Sequence, residues 1–147
     1  MIQIKTIKPE QTYELRHRIL RPHQHIEDCQ YPGDFDSTTA HYGAIYSKKI
    51  VGILSLYKAN QQNIDIPESW QLRAMATEAD VRGKGYGAML VEHAEAYIAS
   101  QKGRCIWANA RINALGFYQN LGYSTVGAEF NIADVGPHQL VYKKPSE

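Results

Sequence analysis

Apolar and polar positions along this chain fall into blocks of different period, and those blocks predict its elements in order. Ile2 and Ile4 alternate with polar neighbours and predict a short first strand. Leu15, Ile19 and Leu20 then share a helical face; Pro9 suits the start of that helix, where a missing N–H costs nothing, and Pro22 ends it. Residues 23–39 keep no period and predict at most a second turn of helix before a loop at Pro32-Gly33. Residues 41–47 and 50–57 are β-rich, and the connection Lys48-Lys49 predicts a hairpin. After a polar stretch, residues 70–77 alternate as a strand. Tyr86, Met89, Leu90, His93, Ala94, Tyr97 and Ile98 then recur at helical spacing, and Gly103 is the expected C′ residue of that helix. Residues 105–110 form a short bounded apolar run, as a buried strand would, and a strand–helix–strand unit of this kind requires a parallel pair. Asn113 suits the cap of a helix through Leu115, Phe117, Tyr118 and Leu121 that ends at Gly122; residues 124–130 and 138–144 predict the last two strands.

Length adds one core and one domain, residues 1–147, large enough to fold without a disulfide or metal staple. The apolar share of 44% and charged share of 21% are those of an ordinary globular chain, with no apolar run near a membrane span. Sixteen Lys and Arg against fifteen Asp and Glu leave a net charge of +1, which disfavours nucleic acid and anionic membranes as partners. Residues 1–20 lack the apolar core of a secretory signal, so the expected location is cytoplasmic and Cys29 and Cys105 are expected to be independent thiols. His23, His25, Asp28 and Cys29 have no second cluster at matching spacing, and no metal site is expected. Tyr31, Phe35 and nearby carboxylates suit a groove for a cationic substrate.

Candidate chemistry enters between the strand at 70–77 and the long helix, where Arg82-Gly83-Lys84-Gly85-Tyr86-Gly87 places three alternate glycines at a strand-to-helix junction. The first N–H groups of a helix lack intrahelical partners and lie at the positive end of its dipole, which together favour an anion. Glycine removes the side chains that would hold a phosphate away. A tight turn needing positive φ is the plainer account, and one glycine would satisfy it. Spacing excludes two nucleotide loops: Lys84 is followed by glycine and not by Ser or Thr, and the third glycine comes one residue too early for G-x-G-x-x-G.

Arg82-x-x-Gly85-x-Gly87 resembles the acetyl-CoA pyrophosphate loop of the GNAT (Gcn5-related) N-acetyltransferases. Downstream, Asn113-Ala114-Leu115-Gly116-Phe117-Tyr118-Gln119-Asn120-Leu121-Gly122-Tyr123 resembles that family's N-x-x-A-x-x-x-Y-x-x-x-G-F signature, with Gly116 as the small residue. The stretches Tyr13 to Pro22 and Cys29 to Asp36 are most similar to the family's small ElaA-like or uncharacterised bacterial branches. The resemblance covers essentially the whole chain. It implies an α/β (α+β) fold: a mixed central sheet of six to seven strands, about four helices, and a splayed parallel pair at strands four and five.

The same resemblance implies an enzyme that moves acetyl from acetyl-CoA directly to a primary amine of a small molecule, peptide or protein in a ternary complex. A non-catalytic CoA-binding module is the alternative. Backbone N–H groups of Gly83, Lys84, Gly85, Tyr86, Gly87 and Ala88 would hold the pyrophosphate, with Arg82 and Lys84 supplying charge. Met75, Ala76 and Thr77 would offer main-chain groups to the pantetheine arm, one N–H, that of Met75, facing the thioester oxygen. Asn113 would contact the CoA arm, where helix capping is the plainer account. Tyr118 would protonate the leaving thiolate, although without the family it reads as a core tyrosine. A protonated amine needs a base: His138, Glu129, Asp134 and a water chain are the candidates, and His138 is preferred, with a strand-end histidine bonded to the backbone as its plainer reading. Pairing through the last strands would allow a homodimer.

Overall fold

In a computed structural model that describes residues 1–145, seven strands form one mixed sheet in the order β1-β2-β3-β4-β5-β7-β6. They are β1 (Gln3–Thr6), β2 (Ala40–Tyr46), β3 (Lys49–Lys58), β4 (Ser69–Thr77), β5 (Cys105–Arg111), β6 (Ser124–Ile132) and β7 (Gly136–Lys143). Three α-helical segments, α1 (Tyr13–Leu15), α2 (Tyr86–Ser100) and α3 (Leu115–Asn120), are joined by 3-10 turns. Two compact units share the chain, one built from Met1–Tyr57 and Leu72–Ala94, the other from Lys58–Gln71 and Glu95 onward.

In the first unit, β1, β2 and β3 are consecutive antiparallel partners. The hairpin turns at Ser47 and Lys48, one residue earlier than the pattern predicted, with φ of 49° and 65°. Two successive positive φ values match the right-handed twist of the flanking strands. Ile7, Leu15, Ile53 and Ala76 form a buried cluster there, with Ile19 and Leu20 against it. The first helix changes pitch along its length: a 3-10 turn over Pro9–Thr12, the α turn, then a π turn over Arg16–Leu20, where the Arg21 N–H reaches back to the Arg16 carbonyl at 3.0 Å. Such widened turns often mark functional sites.

In the second unit, β4 and β5 run parallel through three pairs, Ser69↔Cys105, Trp70↔Ile106 and Gln71↔Trp107. Beyond them β4 continues to Thr77 and β5 to Arg111, the latter on its β7 partner. Ile64, Cys105, Trp107 and Leu140 form the buried cluster. Cys29 and Cys105 are both buried free thiols, one in each unit.

Two helix details differ from the pattern. The buried stripe of α2 is Leu90, Val91, Ala94 and Ile98, whereas Met89 and His93 are exposed; amphipathic residues had drawn the expected face about one position aside. At its end the left-handed residue is Lys102, with φ of 61°, and not Gly103. Gly103 is glycine for space: a Cβ there would collide with Ile98 and stand 2.9 Å from Trp70. Among the described residues no helix is long and apolar enough to cross a membrane.

Candidate active site

The glycine loop enters through a 3-10 turn, Ala79–Val81, and α2 begins at Tyr86. Gly85 caps it, its carbonyl accepting the Met89 N–H at 3.1 Å. Gly83 and Gly85 have φ of 83° and 84°, so turn geometry explains two of the three glycines; a Cβ at either would meet nothing within 4 Å, leaving the space in front of the backbone open. Gly87 lies inside the first helical turn, where no such φ is needed. Arg82, Gly83, Lys84 and Gly85 are exposed, Tyr86, Gly87 and Ala88 half-buried, and the Arg82 guanidinium Nε folds back 3.3 Å onto the Thr77 carbonyl. The N–H groups of Tyr86, Gly87 and Ala88 are the first donors of a fifteen-residue helix and lack intrahelical partners.

Before the loop, Met75 and Thr77 are half-buried and Ala76 is buried. Ala74 has a φ of 56°, a left-handed conformation inside a strand. An alanine there costs on the order of 1–2 kcal/mol, and such strain gathers where backbone groups are re-aimed for function.

The segment expected to take a cation is arranged otherwise. Arg16 is fully buried and donates to Asp34 at 2.8 and 3.1 Å, to the Cys29 carbonyl, and to the Ser55 and Tyr57 hydroxyls. Asp34 also accepts from the Tyr57 hydroxyl and the Tyr31 N–H, so its four acceptor positions are filled. Burial pushes the Asp34 carboxyl up, but its hydrogen bonds from Arg16, Tyr57 and Tyr31 outweigh that and hold it below its ordinary value. His41 completes the network through Ser55 at 2.7 Å and the Asp34 carbonyl at 2.9 Å; burial lowers its pKa and favours the neutral ring.

Three guanidinium groups surround one ring, that of Tyr31: Arg16 at 4.4 Å, Arg73 at 4.5 Å and Arg21 at 5.4 Å from its centroid. Arg21 also donates to the Tyr31 hydroxyl at 2.8 Å. Among the described residues neither Arg21 nor Arg73 forms an ion pair. The pattern of the sequence did not single out either arginine, because positions 21, 31 and 73 share no local period; only the fold gathers them. The exposed Phe35 stands outside these contacts.

In the second unit Tyr118 lies on α3 with its ring edge-on to Phe117 and Tyr123, at 5.2 and 5.4 Å. The residue is buried and its hydroxyl makes no hydrogen bond to another described residue; that oxygen keeps contact with solvent, since among the described residues Arg16 Nε alone is buried without a partner. Burial pushes its pKa well above the ordinary value, so the phenol is protonated. The tyrosine five residues on behaves as the structural one: Tyr123 donates to Glu95 at 2.8 Å, and Lys143 bridges the same carboxylate to the Leu121 carbonyl. Asn113 is exposed in the 3-10 turn Ile112–Ala114 and makes no capping bond; α3 starts after Ala114. The capping expectation for Asn113 is therefore not met.

His138 is the third residue of β7, buried, opposite Arg111 on β5 and Phe130 on β6. Its Nδ1 lies 2.7 Å from the Gly136 carbonyl, an acceptor only, so Nδ1 carries a proton. The Phe130 ring stacks on it at 6.0 Å and 28°. A wide bulge sets that stack: Val126 faces Leu140 and Phe130 faces His138, so three residues of β6 oppose Gln139 alone. Glu129 and Asp134 are exposed. Among the described residues no three His, Cys, Asp or Glu side chains gather as a metal would require.

A family model described as "Acetyltransferase (GNAT) family" matches residues 5–123. The "Uncharacterized N-acetyltransferase YitI" of Bacillus subtilis (strain 168) is 38% identical over 143 residues, 97% of this chain and 96% of its own. Escherichia coli ElaA superposes with a TM-score of 0.78 at 15% identity, covering 98% of this chain and all of its own. An aminoglycoside 6'-N-acetyltransferase complexed with coenzyme A does so with a TM-score of 0.73 at 17% identity, covering 97% and 96%. Motif, sheet topology and full-length sequence likeness agree, and the chain belongs to the GNAT family as an N-acetyltransferase.

Proposed function

We propose that the protein transfers acetyl from acetyl-CoA to the primary amine of a small acceptor that also carries an anionic group. The observation that carries the chemistry is Tyr118, a protonated, buried phenol whose hydroxyl has no partner among the described residues. It suits a general acid for a CoA thiolate, since it keeps its proton at neutral pH and has no competing bond. The exposed N–H groups of the glycine loop, with Arg82 and Lys84, suit the pyrophosphate of CoA. The main-chain groups of Met75, Ala76 and Thr77 suit its pantetheine arm, and Asn113, whose side chain makes no hydrogen bond among the described residues, suits a contact to the same arm.

Arg21 and Arg73 carry the acceptor reading. Two half-buried cations beside one ring repel each other, and Asp34 has no acceptor position left to neutralise them. An incoming carboxylate or phosphate would do so through the fork geometry that arginine offers. Arg73 precedes Met75 by two residues, which limits the separation of their backbones to about 7 Å. A small amine bearing an anion spans that distance; a polyamine or aminoglycoside would bring further positive charge to it. His138, whose Nδ1 is held by the Gly136 carbonyl, is the base we assign to take the amine proton through Nε2.

Thiol release from acetyl-CoA, followed over a panel of amines, tests the reading. Tyr118→Phe is expected to lower kcat by about a hundredfold or more while CoA affinity is retained. Normal turnover in that variant on a confirmed acceptor would remove Tyr118 from the mechanism.

A further inference from the structure

Asn109 breaks the pattern of its strand. On β5 it continues the face of Cys105 and Trp107, two residues of the buried cluster, and it sits opposite Leu140, a third. An apolar residue is expected there, and asparagine is a poor strand former. Among the described residues its carboxamide makes no hydrogen bond. It faces a cavity of about 320 Å³ whose other walls include Gln61, Gln62, Asn63, Phe130 and Leu140. The side chains of Gln62 and Asn63 are likewise without hydrogen bonds there, while Gln61 holds its own turn by accepting the Asn63 N–H at 2.9 Å.

No ionisable side chain lines this cavity. Gln62, Asn63 and Phe130 are exposed and Asn109 is half-buried, so the cavity is open to solvent; a charged group bound there would gain no counter-ion, and a purely apolar one would cover Asn109 without meeting its hydrogen bonds. A group with both a donor and an acceptor in one plane fits, and a carboxamide is such a group. The volume is about ten times the share of one water in the liquid, so a single ordered water does not account for it. The β6 bulge brings Phe130 into both the cavity wall and the stack on His138.

We infer that this cavity is a subsite for a neutral carboxamide on the acceptor, read by Asn109 with Gln62 and Asn63. The inference rests on the proposed acetyl transfer with His138 as base. Asparagine and leucine are amines of the same shape with and without the amide, and so make a matched pair.

The test has two arms. In the first, kcat/KM is measured for acetylation of asparagine against leucine, and of glutamine against homoleucine, in the wild type and in Asn109→Leu. The wild type should favour the amide by about tenfold, the loss expected when hydrogen-bonding groups are left unmade, and Asn109→Leu should bring the ratio close to one. No preference in the wild type, or a ratio that survives the substitution, would overturn the subsite. In the second arm acetamide is titrated onto the wild-type protein and the side-chain amide resonances of Asn109, Gln62 and Asn63 are followed by NMR. Saturable shifts support the subsite even if no amino acid is acetylated, an outcome that would count against the proposed acceptor alone. Unmoved resonances overturn the subsite and leave the cavity to water. Because this arm uses the wild-type chain, poor folding of Asn109→Leu does not affect it.

Discussion

Asp34 shows how much of the first unit hangs on one side chain. It satisfies a fully buried guanidinium, and Asp34→Asn would leave Arg16 without its counter-charge; a loss of about 3–5 kcal/mol of stability is expected, measured by denaturant unfolding. The pH dependence has a definite sign. Because the folded carboxyl titrates below its unfolded value, its contribution is present at neutral pH and is lost as pH falls through the ordinary carboxylate range toward the lower folded value. Wild-type stability should therefore fall more steeply with acid than that of Asp34→Asn, and parallel profiles would contradict the network as described. Arg73 makes the complementary case for function. Arg73→Lys keeps the charge but loses the planar fork, so KM for an anionic acceptor should rise by about tenfold or more with Tm nearly unchanged, as steady-state kinetics and thermal unfolding would show.

At the scale of elements, the period of apolar residues was sufficient for strands and helices but not for their ends. All seven strands and the long helix were legible, since strand runs bounded by turn residues leave few alternatives. The hairpin turn and the end of α2 were each displaced by one residue, for one reason: Ser47, Lys48 and Lys102 adopt left-handed conformations that the sequence does not advertise, and glycine was expected to mark them. Lys102→Gly should accordingly stabilise the chain by about 1 kcal/mol by relieving positive φ, while Gly103→Ala, one residue on, should destabilise it by more than that through collision with Ile98 and Trp70. Thermal unfolding of the two variants checks the assignment, and the opposite ordering would place the helix end where the sequence pattern had it. Ala74 was illegible too, because alanine in a strand raises no signal.

Across the whole molecule, the two motifs proposed to carry chemistry could be read in the sequence because each is local: the glycine loop within six residues, and Asn113 five residues before Tyr118. What was not readable comes from distant parts of the chain. Arg16, Arg21, Tyr31 and Arg73 meet only in the folded protein, and they turned an expected cation groove into a cluster of cations with Asp34 already saturated. The proposed charge of the acceptor thus rests on tertiary structure, while the proposed donor loop rests on sequence. The most direct test supplies acetyl-CoA with matched amines and follows acetylated product by mass spectrometry, setting aspartate and O-phosphoserine against spermidine and kanamycin. The proposed chemistry predicts a kcat/KM about ten to a hundred times higher for the anionic amines, the discrimination expected of charge-assisted bonds to arginine. A preference for the polycations would contradict it.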